Sequence, residues 1–384
     1  MSDLEALPQP EALLQLEVLL HSADAAAAAW DSRGLPREMV TAAAEAGVLG
    51  MDRPTRYGGR GADALATGRM AADLGAVCTS LRSLFTVQGM VAATVDRWGT
   101  AEQRASWLPA LTGGELVAGL AATEAGAGSD LSGIATWFTG SGPERRVSGR
   151  KMWVTFGALA DVVLVTGCSE DGPVAALVET GQPGVDVEPV TDQLGMRGAR
   201  IAHLTFDAAR VPAENIIARP GFGLSHVLGT ALDHGRYTIA WGCAGMARAC
   251  LTDAAAHAHD RRQSGVRLAD HQAVRAMLGR SWVDVEAAEA LCARAARDRI
   301  DREPTAQLTT IGAKYAAAAA AAAASERAVQ ILGAAGCAPG SRAGRFYRDA
   351  KIMQIIEGAR EVAEQDLGEF VLRSVGESRS AAGR

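Results

Sequence analysis

The stretch Val147-Ser148-Gly149-Arg150-Lys151-Met152-Trp153-Val154-Thr155 is rich in β-branched and aromatic residues and reads as a strand. Four more segments of this kind follow: Asp161–Thr166, Pro173–Glu179, Val185–Val190 and Ile201–Phe206. Each is short and bounded by Gly, Pro or Asp, which predicts an antiparallel sheet or barrel. Outward in both directions the period becomes helical. Before the sheet, Leu13, Leu14, Leu16, Val18, Leu19 and Leu20 recur near helical spacing, and Pro36 opens a further helix. A Tyr57-Gly58-Gly59-Arg60-Gly61 loop interrupts this region, and Gly113-Gly114 ends it. After Pro220, Leu232–His259, Asp270–Arg297, Thr305–Leu332 and Arg348–Val371 are each long enough for a bundle helix. The class is therefore α+β: an N-terminal helical domain (1–118), a middle antiparallel β domain (119–222), a C-terminal four-helix bundle (223–373) and a disordered tail (374–384).

Composition narrows the function classes. The chain has 384 residues, 48% of them hydrophobic and 21% charged, which is globular rather than disordered. A net charge of −6 argues against nucleic acid as partner. Only three lysines occur, Lys151, Lys314 and Lys351, against many arginines and alanines, a bias expected of a GC-rich genome. The six cysteines form no CxxC and no metal-ligand spacing, so no metal is expected and the thiols read as idle in a reducing compartment. The first thirty residues lack the pattern of a secretory leader. The alanine run 316–324 is too short for a membrane span and reads as a soluble helix. A cytoplasmic protein with no membrane partner is expected.

Four motifs carry chemistry. The first runs from Gly99-Thr100, Gln103, Leu108-Pro109 and Gly114-Glu115 into Ala122-Thr123-Glu124-Ala125-Gly126-Ala127-Gly128-Ser129-Asp130. The second is Lys151-Met152-Trp153-Val154-Thr155-Phe156-Gly157. The third is Leu194-Gly195-Met196-Arg197-Gly198 with Val211-Pro212-Ala213-Glu214-Asn215. The fourth joins Gln330-Ile331-Leu332-Gly333 to Arg348-Asp349-Ala350-Lys351-Ile352 and Ile356-Glu357-Gly358. In order and spacing, over roughly 11 to 373, this resembles the acyl-CoA dehydrogenase family, whose versions of the first two are TEPxAGSD and KxWITxG. The family's domain order is also helical, β, helical.

The resemblance implies FAD as cofactor. A flavin that accepts hydride needs donors at its ring edge, because negative charge builds there on reduction. By resemblance Thr123 bonds the N1/O2 edge, Thr155 lies near N5, Trp153 covers a ring face, and Gly128 and Ser129 approach the pyrophosphate. Arg261, Gln330 and Gly333 match contacts that a neighbouring protomer makes to the cofactor, which implies a homodimer or a homotetramer built from such dimers. Glu357 matches the catalytic base, which takes a proton beside a thioester carbonyl while hydride passes to flavin N5. Ile355 and Ile356 are expected to give it the apolar neighbourhood that lifts a carboxyl toward working pH. In the family the main chain at this Glu, with room left by Gly358, polarises the substrate carbonyl.

Three positions depart from the family: Ser264 stands where it has Phe, Ile356 where it usually has Tyr, and Ala359 where it usually has Thr. Ser264 and Ala359 are expected to weaken contacts to the nucleotide half of FAD. The substrate region is polar. Arg82, Ser83 and Gln88 lie in a stretch that borders the acyl site in relatives. Arg236, Tyr237 and Trp241 follow, with the two aromatics at i and i+4 on one helix face, where they are expected to plug the pocket floor. The segment Leu232–Cys243 resembles the acyl-carrier-protein dehydrogenases that make hydroxymalonyl, methoxymalonyl or aminomalonyl extender units for polyketide antibiotics. That implies a small polar acyl group on an acyl carrier protein, with Arg294, Arg297, Arg299 and Arg302 as a candidate patch for the acidic carrier. A short-chain acyl-CoA dehydrogenase of fatty or branched acid breakdown is the alternative, and an inactive thioester-binding scaffold a third. Electrons would pass to a flavoprotein or to oxygen.

Overall fold

The computed structural model describes the backbone of residues 10–382 apart from 132, 141 and 143, with side chains from 14 to 375. The first layer is α1 (Pro10–Arg33), α2 (Arg37–Glu45), α3 (Ala64–Val77), α4 (Thr79–Trp98) and α5 (Ala101–Thr112). Two of these begin where the sequence supplies a cap. The Asp63 carboxylate accepts the Ala66 N–H at the start of α3, and Thr100 with Gln103 forms a reciprocal capping box on α5. Helix α4 is buried from Thr79 to Val95, because it lies between the sheet and the bundle. Gln88 on α4 is consumed there: its amide donates to the Leu111 and Leu116 carbonyls and accepts the Ala118 N–H. It ties helix to sheet rather than lining a pocket.

The sheet contains β1 (Ala118–Ala121), β2 (Trp137–Thr139), β3 (Glu144–Val154), β4 (Val162–Ser169), β5 (Gly172–Glu179), β6 (Val185–Pro189) and β7 (Ala202–Pro212). Its order is β1-β4-β2-β3-β7-β6, with β5 beside β4. The expectation of an antiparallel sheet needs one correction. β1 runs parallel to β4, and β2 meets β4 in parallel at Trp137 and Cys168. A strand entering from α5 and a strand returning through Asp161 reach the same edge in the same direction, so they cannot form a hairpin.

A π-helical turn, Gly223–Leu228, opens α6 (Gly229–Asp260). The small hairpin β8 (Arg262–Gln263) and β9 (Val266–Arg267) then leads to α7 (Gln272–Ile300), α8 (Ala306–Leu332), α9 (Arg342–Met353) and α10 (Arg360–Ala382). The alanine run is the seam of the bundle. Ala317, Ala318, Ala320, Ala321 and Ala324 are buried where α8 packs on α6 and α7. Among the described residues no helix is long and apolar enough to cross a membrane. The segment Arg348–Val371, expected as one helix, is broken: α9 stops at Met353 and α10 starts at Arg360. Between them Glu357 and Gly358 take φ of 54° and 99°, which no α-helix accommodates. Helix α10 continues to Ala382, through most of the stretch expected as a tail, where Gly376 is the one helix-weakening residue and no proline interrupts.

Candidate active site

The interrupted helix puts Glu357 on a left-handed turn, a backbone state that is costly for a non-glycine residue and usually held by its surroundings. Here two cations hold it. Arg236 Nε donates to the Glu357 carbonyl at 2.9 Å, and Lys314 Nζ donates to the Gly358 carbonyl at 2.8 Å. The carboxyl atom Oε2 is buried with no hydrogen-bond partner. Burial pushes this carboxyl up to about 7, against Arg236, Lys314 and Arg82, whose charges favour the ionised form. The apolar neighbour differs from expectation. Ile355 is 53% exposed and Ile356 packs on the core. Instead Met90 of α4 and the carboxyl converge on a place cleared by Gly235. A Cβ at Gly235 would fall 3.1 Å from Glu357 Oε2 and 3.0 Å from Met90 Cε.

From Met90 a polar line runs inward between α4 and α6. Met90, Thr86 and Arg82 share one face of α4 at i, i−4 and i−8. Opposite them on α6 stand Gly235, Thr238 and Gly242. Thr86 Oγ1 and Thr238 Oγ1 are 3.0 Å apart, and a Cβ at Gly242 would strike Arg82 Cδ at 2.7 Å. Arg82 is 2% exposed. Its Nη1 donates to Thr86 Oγ1 at 3.0 Å and its Nη2 lies 3.0 Å from Met353 Sδ, a weak acceptor. No carboxylate among the described residues pairs with it. Such a desolvated guanidinium is expensive unless an anion meets it.

Tyr237 and Trp241 do not join this line. The Tyr237 hydroxyl donates to the Ala64 carbonyl of α3 with Arg299 stacked 4.5 Å from its ring, and Trp241 fills the space over Gly68. One residue along a helix turns the side chain by about 100°, so a face shared by 237 and 241 excludes 238. The two aromatics therefore pack α6 onto α3 rather than plugging the floor. Arg299 is also withdrawn from the candidate carrier patch, since its Nη2 pairs with Asp233 at 2.7 Å.

The second cluster is where β3 ends. Thr123 and Thr155 are half-buried, and the Met152 N–H donates to the Thr123 carbonyl at 2.8 Å, which ties the Thr123 loop to the end of β3 just before Thr155. Trp153 is 52% exposed at φ 59°, with its N–H on His203 Nδ1 at 3.1 Å and the imidazole edge-on 5.2 Å away. An indole on a strained backbone and open to the surface offers a flat apolar face against which a ring can stack. Gly128 and Ser129 are exposed, and a Cβ at Gly128 would meet nothing within 4 Å, which leaves room for a phosphate to approach. These residues fit a flavin nucleotide.

Beneath them is a support that residue reading missed. Lys151 is fully buried, with Nζ 2.7 Å from Glu124 Oε1 and 3.0 Å from the Ala122 carbonyl. Glu124 also accepts the N–H groups of Ala135 and Thr136. Burial alone would raise Glu124, but Lys151 and these donors outweigh it and hold the carboxyl below its ordinary value. The rarity of lysine in this chain was the available signal. Lys151→Met is expected to cost about 3–5 kcal/mol by stranding a buried carboxylate. It should lower Tm and loosen flavin retention together; wild-type values of both would show that the pair supports neither loop.

Arg261, Gln330 and Gly333 are exposed and lie at the far end of the bundle. Arg261 follows Arg236 by a helical path of about 37 Å at 1.5 Å per residue, so one chain does not bring it to its own Glu357.

Three comparisons bear on this architecture. Residues 18–115, 119–209 and 221–372 match in turn the N-terminal, middle and C-terminal domains of acyl-CoA dehydrogenase. Mitochondrial short-chain specific acyl-CoA dehydrogenase of Mus musculus is 32% identical over 345 residues, covering 88% of this chain and 83% of that one. Among solved structures, FkbI, for biosynthesis of the methoxymalonyl extender unit of the Fk520 polyketide, superposes with TM-score 0.88 at 38% identity, covering 94% and 99% of the two chains. Butyryl-CoA dehydrogenase from Megasphaera elsdenii superposes with TM-score 0.88 at 26% identity over 96% and 100%. With three domains matched in order around a buried glutamate, the chain belongs to the acyl-CoA dehydrogenase family of FAD-binding, flavin-dependent oxidoreductases.

Proposed function

We propose that this chain oxidises a small polar acyl thioester carried on an acyl carrier protein, of the hydroxymalonyl type used for polyketide extender units. The observation that carries the reading is Arg82. An aliphatic acyl chain directed inward from Glu357 would end against a buried guanidinium with no ion pair among the described residues, whereas a short anionic or hydroxylated group would satisfy it. The likeness to FkbI at 38% identity supports the same reading.

Thr123, Gly128, Ser129, Trp153 and Thr155 would hold FAD from one protomer. Arg261, Gln330 and Gly333 would reach it from the partner, which accounts for their distance from Glu357. Bound FAD supplies the hydride acceptor. The chain supplies the rest. Glu357, ionised, takes the proton from the carbon beside the thioester carbonyl. Its apolar setting makes that carboxylate a stronger base than one in water. Arg236 and Gly358 shape the turn on which the carboxyl and the main chain meet the thioester, and Arg82 with Thr86 and Thr238 orients the acyl end.

The alternative, oxidation of a short aliphatic acyl-CoA, is favoured by the 32% identity to the short-chain enzyme. It shares the base and differs in what meets Arg82. An anaerobic titration of the flavin-loaded protein separates the two. Bleaching of the flavin band by a three-carbon polar acyl-carrier-protein thioester, with little by butyryl-CoA, is the expected result. Preferential bleaching by butyryl-CoA would replace the first reading with the second.

A further inference from the structure

We propose that Lys314 is a positioning residue for the base: together with Arg236 it holds the left-handed Glu357–Gly358 turn, and its ammonium keeps the buried carboxylate ionised. The inference rests on reading Glu357 as the base, and adds a residue that neither motif nor family match assigns.

Lys314 is 3% exposed, in the interior of α8, on a helix buried mostly through alanines. A lysine at such a place is costly unless something needs it there. No carboxylate lies within ion-pair distance among the described residues. Its hydrogen bond goes to a main-chain carbonyl, that of Gly358, one residue past the base. Arg236 from α6 makes the matching bond to the Glu357 carbonyl. The two carbonyls belong to consecutive residues at φ 54° and 99°, so the donors grip both halves of a turn that the backbone does not favour. A turn held at two points cannot swing its side chain away from Met90 and Gly235.

Charge is the second part. The groups that face the Glu357 carboxyl are Arg82 from α4, Arg236 from α6 and Lys314 from α8. Cys243 of α6 adds to the surroundings of Lys314. Asp366 of α10 lines a shallow recess beside Lys314 and Glu357, with Ile311, Val362 and Ala363. Burial pulls the Lys314 ammonium down to about 8, so it is still charged where the carboxyl gives up its proton. Removing that charge leaves the desolvated carboxylate less compensated, and the carboxyl must then hold its proton to higher pH. Because the two sites interact, the titration belongs to the pair.

The test is an infrared titration of the protonated carboxyl band that disappears in Glu357→Gln. In wild type its midpoint should lie near 7. Lys314→Met should raise it by about one pH unit and cut kcat on the best thioester about tenfold or more, with KM changed far less. Lys314→Arg, which keeps charge and donor, should restore the midpoint. An unchanged midpoint in Lys314→Met overturns the proposal. If that variant does not fold, Lys314→Gln, which keeps a donor and loses the charge, decides by the same midpoint. The infrared band needs no substrate, so a protein whose flavin no thioester reduces would refute the reading of Glu357 as base while the Lys314 result still stood.

Discussion

Glu357→Gln is expected to retain flavin and fold while turnover drops by about 10³-fold or more, at the upper part of what a positioned general base contributes. The amide is nearly isosteric with the carboxyl it replaces, so Met90, Gly235 and both main-chain clamps keep their places. It cannot accept the substrate proton. Retained turnover would move the base elsewhere. Wild-type kcat/KM should fall as pH drops through about 7, because only the ionised carboxylate accepts the proton and burial has lifted its value to there. The same shift has a sign for stability. Between the ordinary carboxylate range and about 7, the folded chain holds a proton that the unfolded chain has released, so stability declines as pH rises across that window. Above it the folded protein carries a buried carboxylate whose desolvation outweighs the compensation from Arg236, Lys314 and Arg82. The Gln variant is therefore expected to melt higher than wild type at pH 8, and at the same temperature near pH 4. Equal melting at both would show that the carboxyl is better solvated than its position implies.

Arg82→Met should part stability from activity in the opposite way to a core substitution. Most buried side chains cost stability when replaced. Here the residue removed is a desolvated cation with no ion pair among the described residues, and the replacement fills similar space, so Tm should hold or rise by a few degrees. Turnover of a polar acyl thioester should fall by about 10²–10³-fold, the loss that follows when a charge-assisted contact to substrate is removed. Aliphatic acyl thioesters should gain, because the wall they met is now apolar. A fall in Tm with unchanged preference would make Arg82 a structural residue tied to Thr86 and Met353, and the substrate reading would lose its main support.

Much of the site is legible in the sequence, for a local reason. Thr123, Gly128 and Ser129 follow β1, and Trp153 and Thr155 lie at the end of β3, and such strand ends are set by residues within a few positions of each other. Glu357 with Gly358 is also a local device. Glycine after a charged residue marks a break, yet the flanking periodicity of Arg348–Val371 hides it, and only the structure shows two helices meeting at the base.

What the sequence by itself determined is the order helical, β, helical, and the short segments whose chemistry is complete within a few residues. What only the tertiary structure decided is which way long helices face and what meets across them. Tyr237, Thr238 and Trp241 sit in one helical run, and periodicity cannot say which of them looks at Glu357. That is settled where glycines let α6 approach its neighbours: at Gly245 a Cβ would lie 1.9 Å from the Ala72 carbonyl, which locks the rotation of α6 on α3. That lock sends Tyr237 and Trp241 toward α3 and Thr238 toward Thr86 and Arg82. Arg82, Arg236, Lys314 and Glu357 come from four elements between 82 and 357, and their shared electrostatics exists only after those elements pack. Local propensity acts over a few residues, whereas desolvation and charge act through space, so the shape of the site was readable and its polarity and proton affinity were not.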